Sequence, residues 1–325
     1  MAKAPSPRRS TDDRLFRLGT GFFAFLVVLL VAAIGFELWR TSRLSLTKFG
    51  LNFWRTTTWD PVSGQFGALP FIWGTLYSSA LALLISTPIA LGIAIFLSEL
   101  SPRPLRTPLA FLTELLAAVP SIVYGLWGVF VLVPLVRKAA LILPGWARKI
   151  PLFSGPPLGV GMGAAALILA IMVIPFTSSV AREVLKAVPN TQREGAYALG
   201  ATRWEAIQVA VRYGRTGIIG AIVLGFGRAI GETMAVTMVI GNNPQIKWSL
   251  FAPQYSMAAV IANEFTEAAD NLYLSALIEI GFVLLIITLI INGLSRFLLW
   301  SVTREVKVKP IRPTSALARA RVVES

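Results

Sequence analysis

Six long apolar runs divide this chain, at residues 18–36, 70–98, 109–136, 158–181, 216–241 and 272–300. A helix rises about 1.5 Å per residue, so about twenty residues cross the ~30 Å hydrocarbon core of a bilayer. Each run is long enough. The expected fold is therefore all-α, a polytopic membrane protein with six transmembrane helices. Charged residues make up only 14% of the chain, where a soluble domain carries about 25%. With no Cys and no His, the chain can form no disulfide, thiolate nucleophile, Cys/His zinc site or histidine general base. The net charge of +14 is explained by basic groups flanking membrane spans, which makes lipid the expected partner and nucleic acid not.

The first run follows Lys3, Arg8, Arg9, Arg14 and Arg17 and ends in Glu37-Leu-Trp-Arg40. A cleaved signal peptide has a shorter apolar region and a small-residue cleavage site, so this run reads as a retained span. Of the 30 Lys and Arg, 20 fall on the side of the N-terminus, nine on the other, and Arg228 lies within a span. The positive-inside rule then places both termini in the cytoplasm. The expected organisation is a basic cytoplasmic tail over 1–17, a first helix over 18–39 and an external loop over 40–70. A five-helix core over 71–300 and a cytoplasmic tail over 301–325 follow. Both tails are polar and Pro-containing, and are expected to be poorly ordered. Pro88, Pro120, Pro134 and Pro175 lie inside apolar runs and should kink or break their helices, either as ordinary bundle packing or where a cavity covers the break.

The cytoplasmic loop over 183–213 carries the densest pattern. Thr191 and Glu194 have capping-box spacing, and Thr202 and Glu205 repeat it eleven residues later. Gly200 lies between them, where a helix can end in a left-handed residue. The pattern predicts a short helix, a tight turn and a second short helix. Small residues, Gly195, Ala196, Ala198 and Ala201, keep the turn thin enough for another protein's backbone to approach.

No G-x-x-x-x-G-K-[ST] phosphate loop occurs. Gly159-Val-Gly161-Met-Gly163 has the spacing of a dinucleotide fingerprint, but it follows a Pro-rich loop and opens an apolar run. Close helix packing through small residues is the better reading. The chain is not expected to be an enzyme, and any ATP chemistry must come from elsewhere.

Arg228 and Glu232 lie within the fifth run, and Glu279 within the sixth. A charge near the bilayer centre costs about 2.5–3.5 kcal/mol on insertion scales, so such groups normally face the bundle interior or water. The i, i+4 spacing would stack Arg228 and Glu232 on one helix face, with Gly227 and Gly231 beside them. They could be a self-satisfied ion pair that fixes helix register. They could equally be a polar step on a solute path, where a guanidinium grips a tetrahedral oxyanion and a carboxylate tempers the grip. Counting depth from the external helix ends puts Glu232 and Glu279 near one level. In the last external loop, Trp248, Phe251 and Tyr255 read as interfacial aromatics. Glu264, Glu267 and Asp270 read as contacts to an external protein.

Glu194-Gly-Ala-x-x-x-Gly200 resembles the EAA loop of ATP-binding-cassette (ABC) importer permeases, E-A-A-x3-G-x9-I-x-L-P. It departs from it at Gly195 and at Ala210, Arg212 and Tyr213. Gly227-Arg-Ala-Ile-Gly-Glu-Thr-Met-Ala-Val-Thr-Met-Val-Ile-Gly-Asn242 is similar to the fifth-span motif of phosphate-specific ABC importer permeases of the PstC type. Gly67-Ala-Leu-Pro-Phe-Ile-Trp-Gly-Thr-Leu and Ala262-Asn-Glu-Phe-Thr-Glu-Ala agree with it. The resemblance covers roughly residues 15–300 and implies a type I importer bundle in a bacterial-type inner membrane. It implies that Glu194, Gly195, Ala196, Gly200 and Ala201 dock on an ATPase subunit. It also implies that Arg228 and Glu232 contact passing phosphate, to which the depth argument adds Glu279. Implied partners are a second homologous permease, two ATPase subunits and an external phosphate-binding protein. ATP and Mg would sit on the ATPase, with no cofactor on this chain. The alternatives are another oxyanion (phosphonate, sulfate or molybdate) in the same machinery, or a self-powered secondary transporter using Glu232 and Glu279 for protons.

Overall fold

The computed structural model describes residues 11–304, so both expected tails lie largely outside the described residues. Helices dominate, and no sheet forms among the described residues. In order they are α1 (Thr11–Thr41), α2 (Arg43–Phe49), α3 (Leu69–Ile95), α4 (Arg103–Ala118), α5 (Ser121–Trp127), α6 (Val133–Ile142), α7 (Gly145–Arg148) and α8 (Met162–Lys186). They continue as α9 (Asn190–Ala198), α10 (Arg203–Tyr213), α11 (Arg215–Ile230), α12 (Met234–Val239), α13 (Met257–Glu264) and α14 (Asn271–Arg304). Five continuous stretches are long and apolar enough to cross a membrane: Leu15–Thr41, Leu69–Leu100, Ser121–Ile142, Met162–Lys186 and Asn271–Phe297. The sixth expected span is interrupted. Its first part, α11, has 16 residues, about 24 Å, and falls short of the core thickness.

The centre of the bundle is the pairing of α3 with α8. Ser78, Ala82, Ser86, Ala90 and Ala94 are buried at every fourth position of α3, which is one face of a helix. Lipid tails are as apolar as leucine, so helices in a bilayer associate through close packing, which small residues permit. The Ser78 hydroxyl donates to the carbonyl of Thr75 at 3.2 Å, so a polar group on this face is satisfied within its own helix. Around the pair, Ile168, Leu169, Met172 and Val173 of α8 pack with Ala235, Val236 and Val239 of α12. A second, aromatic core holds Phe53, Phe66, Phe71, Tyr255 and Tyr273, with Tyr273 stacked on Phe66 at 5.4 Å. In contrast, α1 lies outside this core against α14, with Phe22, Phe23, Val27 and Val28 exposed. That is the arrangement expected of a helix solvated by lipid.

Several boundaries differ from the sequence expectation. The run at 109–136 is split at Val119–Pro120, where Val119 turns to extended backbone with ψ 131. The spanning stretch is Ser121–Ile142, carried through a π turn at Gly128–Leu132. A proline disfavours helical backbone in the residue before it, so the break falls at Pro120. Pro88 and Pro175 instead sit inside the continuous helices α3 and α8, and Pro134 follows the π turn within the stretch Ser121–Ile142 without breaking it. The helix expected from residue 158 begins at Met162. Gly159 has φ +88, and a Cβ there would overlap the Val133 carbonyl. Gly159 therefore serves a turn pressed against α6, while Gly161 and Gly163 let the start of α8 approach the backbone at Leu250–Ala252. The amides of Met162 and Gly163, left free by the helix start, donate to the carbonyls of Ala252 (3.1 Å) and Leu250 (2.6 Å).

The same loop crosses α3 at Gly74, where a Cβ would overlap the Tyr255 carbonyl, whereas Gly92 on the same helix meets nothing within 4 Å. Overpacking of this kind costs about 1–3 kcal/mol. Gly74→Ala should lower the midpoint of thermal unfolding of the detergent-purified protein, and Gly92→Ala should leave it unchanged or raise it. Equal midpoints for the two variants would refute the close crossing.

Candidate functional site

Helix α11 crosses α8 at Gly225, where a Cβ would overlap the Thr177 hydroxyl. One turn later Arg228 stands in the last turn of α11. Its guanidinium carbon lies 5.5 Å from the centre of the Phe176 ring, within cation–π range. Tyr124 of α5 is within electrostatic reach. The Arg228 Nε is buried with no hydrogen-bond partner.

The helix stops at Ile230. Gly231 and Thr233 are poor helix formers, the first for its backbone entropy and the second for its branched, hydrogen-bonding side chain. The Thr233 hydroxyl turns back to the carbonyl of Gly231 at 3.4 Å. Glu232 thus lies in the break, and its Oε1 accepts the amide N–H of Ala235 at 3.2 Å, in the first turn of α12. The expected i, i+4 stacking does not form. Among the described residues no acidic side chain makes an ion pair with Arg228. Each charge is matched by a helix end instead: the cation by the carbonyl end of α11, the carboxylate by the amide end of α12.

Glu279 is fully buried between α14 and α2, facing the Ser45 hydroxyl, and neither carboxylate oxygen has a hydrogen-bond partner. Gly227 is level with Asn292 of α14, whose Oδ1 would lie 3.9 Å from a Cβ at Gly227. Asn292 and Glu279 are thirteen positions apart, about 20 Å along a helix. The structure therefore does not bring Glu279 to Arg228. The depth count assumed a continuous fifth helix ending near residue 241, and the break removes that ruler.

The elbow over 190–213 forms as the spacing predicts, with one change. Helix α10 has its capping box: the Thr202 amide donates to Glu205 Oε2 at 2.7 Å, and the Glu205 amide to Thr202 Oγ1 at 3.4 Å. Helix α9 begins two residues earlier than the Thr191 box requires, directly after Pro189, with no side-chain cap. It ends at Gly200, φ +82. The Gly200 amide donates to the Tyr197 carbonyl (2.9 Å) and the Ala201 amide to that of Ala196 (3.1 Å), a left-handed helix stop that glycine adopts without strain. Glu194, Gly195 and Gly200 are exposed, a Cβ at either glycine would meet nothing within 4 Å, and Leu199 is 90% exposed at the tip.

Sequence reasoning missed Arg193. Its Nη2 meets Glu99 Oε1 at 2.6 Å and its Nε meets Oε2 at 3.2 Å. Nη2 and Nη1 also donate to the carbonyls of Leu185 and Val188, both at 2.9 Å. Glu99 lies in the π turn Phe96–Leu100 that extends α3, and Arg203 donates to its carbonyl at 2.8 Å. The elbow is thereby bolted to the ends of both α3 and α8. Only charge complementarity across 94 positions could have signalled this pair.

The acidic residues between α12 and α14 divide. Glu264 Oε2 accepts from Trp59 Nε1 (2.8 Å) and the Tyr273 hydroxyl (2.7 Å), an internal duty, while Glu267 and Asp270 are exposed. Tyr255 is buried in the aromatic core, and Trp248 stays exposed beside Trp73. Among the described residues no cluster of acidic side chains is suited to a metal.

Residues 86–303 match the family of binding-protein-dependent transport system inner membrane components. A phosphate transport system permease protein PstC of Mesorhizobium japonicum is 45% identical, with 90% of this chain and 91% of that protein covered. The PstC of Haemophilus influenzae is 49% identical over 88% and 93%. A probable PstC of Methanocaldococcus jannaschii is 36% identical over 88% and 92%. In three dimensions the chain is similar to one from the MetNI methionine ABC transporter in inward-facing conformations. The TM-score is 0.54 at 16% identity, covering 71% of this chain and 94% of that one; at such identity the likeness concerns the fold. This chain belongs to the inner-membrane components of binding-protein-dependent transport systems, on the branch of its PstC relatives.

Proposed function

We propose that this chain is the permease subunit of an ATP-driven ABC importer that moves inorganic phosphate into the cytoplasm. The observation that carries the reading is Arg228, a guanidinium inside a membrane span with an unpartnered Nε and no ion-paired carboxylate among the described residues, in a chain whose PstC relatives are 45% and 49% identical to it. A phosphate oxygen is the natural acceptor for such a donor, and Arg stays charged at any working pH. Glu232 lies across the helix break, where it accepts a hydrogen bond from a protonated phosphate oxygen and keeps the passing anion from being held too firmly. Both termini are cytoplasmic in this reading. The elbow 191–211 seats on one of two ATPase subunits, which hold ATP and Mg and perform the hydrolysis. A second homologous permease completes the pathway, and an external phosphate-binding protein delivers the cargo. Closure of the ATPase dimer moves the elbow, and Arg193 passes that motion to α3 and α8.

Proteoliposomes containing the whole importer test the function. Phosphate uptake should require ATP and the ATPase, and a pH gradient alone should drive none. Uptake driven by the gradient in the absence of the ATPase would favour a secondary transporter, and stronger competition by sulfate, molybdate or phosphonate than by phosphate would change the cargo. In the same vesicles Arg228→Gln should assemble normally and lower uptake roughly tenfold or more, since a hydrogen bond to a charged group is worth about 1.5–3 kcal/mol. Near-normal uptake would leave Arg228 a structural role.

Arg193→Ala removes the bolt without touching the exposed face of the elbow. ATP hydrolysis should continue while phosphate moved per ATP falls severalfold; an unchanged ratio would dismiss the tether as a transmission element.

For Glu279 the geometry favours a role apart from the cargo. Glu279→Gln should keep uptake within about twofold and raise thermal stability, because a buried unpaired carboxylate is costly. Loss of uptake in a stably assembled variant would return Glu279 to the pathway.

A further inference from the structure

A separate basic cavity lies at the elbow end of the bundle, between α4 and α8. It encloses about 340 Å³ and is lined by Arg106, Thr107, Glu114, Arg182 and Lys186, among others. Arg182 is only 6% exposed. Its Nη2 meets Glu183 Oε1 (2.8 Å) and Glu114 Oε1 (3.4 Å), and its Nε also meets Glu183 Oε1 (3.2 Å). Lys186 Nζ draws on that same oxygen at 3.1 Å. Arg106 Nη2 reaches the Ser101 carbonyl at 3.4 Å. Two donors remain buried with no acceptor: Arg182 Nη1 and Arg106 Nε.

Arg182 and Lys186 therefore share two carboxylates, both more than half exposed, and Arg106 pairs with neither among the described contacts. A sealed guanidinium nitrogen without an acceptor is unfavourable, and native structures satisfy nearly all such groups. At about 30 Å³ per water, the cavity holds several waters or one tetrahedral anion. Guanidinium forks match phosphate oxygens in geometry and charge. The α4 wall also carries exposed Phe111, Leu112 and Leu115, which suit acyl chains, and basic pockets between membrane helices are known to take lipid head groups. We propose that Arg106, Arg182 and Lys186 form a phosphate-oxyanion site, distinct from Arg228, that takes either the head group of an anionic phospholipid or free phosphate on that side of the membrane.

The chain has no cysteine, so Thr107→Cys places one thiol of this chain at the cavity. Its reaction with neutral N-ethylmaleimide can be followed by peptide mass spectrometry in the intact importer held in nanodiscs. Three conditions are compared at equal ionic strength: phosphatidylcholine alone, phosphatidylcholine with phosphatidylglycerol, and phosphatidylcholine with millimolar inorganic phosphate. Occupancy should slow labelling about threefold, the protection given by ligand at about twice its Kd. Slowing by phosphatidylglycerol alone assigns the site to lipid, and slowing by inorganic phosphate assigns it to the free anion. In either case Arg106→Gln should abolish the effect and Arg106→Lys should restore part of it. Equal rates in all three conditions, or protection that survives Arg106→Gln, would overturn the proposal. Because the readout is local to Thr107, it is independent of whether Arg228 handles cargo.

Discussion

The close approach of α3 and α8 is the contact on which the rest of this molecule depends. Within a bilayer no gain comes from hiding apolar surface from lipid, so two helices stay together only by fitting closely. The buried Ser78, Ala82, Ser86, Ala90 and Ala94 of α3 provide that fit. Everything with functional potential is attached to this pair. The elbow is tied to the far ends of both helices through Arg193, which reaches Glu99 beyond α3 and the Leu185 carbonyl on α8. Arg228 reaches α8 through the Gly225–Thr177 crossing and the Phe176 ring. The elbow and the wall against which Arg228 rests are therefore both carried by α8.

The second organising constraint is the cost of freed backbone groups inside a membrane. Breaks in helices are tolerated only where something answers the orphaned amides and carbonyls. The interruption at Gly231–Thr233 is answered by Glu232 on the Ala235 amide, and the start of α8 by the carbonyls of Leu250 and Ala252. Arg228 at the carbonyl end of α11 follows the same logic with opposite sign. Two charges that a continuous helix would have paired with each other are held apart, each by half a helix. That leaves guanidinium donors available to a third party, a property an internal ion pair would have lacked.

Legibility in the sequence followed the range of the interaction. Thr202, Glu205 and Gly200 wrote the elbow because capping and left-handed helix stops act within a few residues. The Thr191 box did not form because Pro189 started the helix two residues earlier, a competition between two local signals of similar strength. Pro120 broke its run, yet Pro88 and Pro175 did not, since packing on neighbouring helices held α3 and α8 continuous. Glu264 read as a contact to an external protein and proved to be the acceptor for Tyr273, nine positions away, and for Trp59, 205 positions away; the second partner lies beyond any local pattern.

The amino-acid sequence by itself determined the membrane architecture, the presence and position of the elbow, and the existence of costly charges inside the spans. These rest on hydropathy, spacing and composition, whose energies are local and nearly additive along the chain. Only the tertiary structure decided where the fifth span breaks, that Arg228 and Glu232 stand apart, that Glu279 is about 20 Å away along α14, and that Arg193 finds Glu99. Those outcomes depend on which surfaces meet. A side chain's partner is set by packing among helices far apart in sequence, and no local pattern records that.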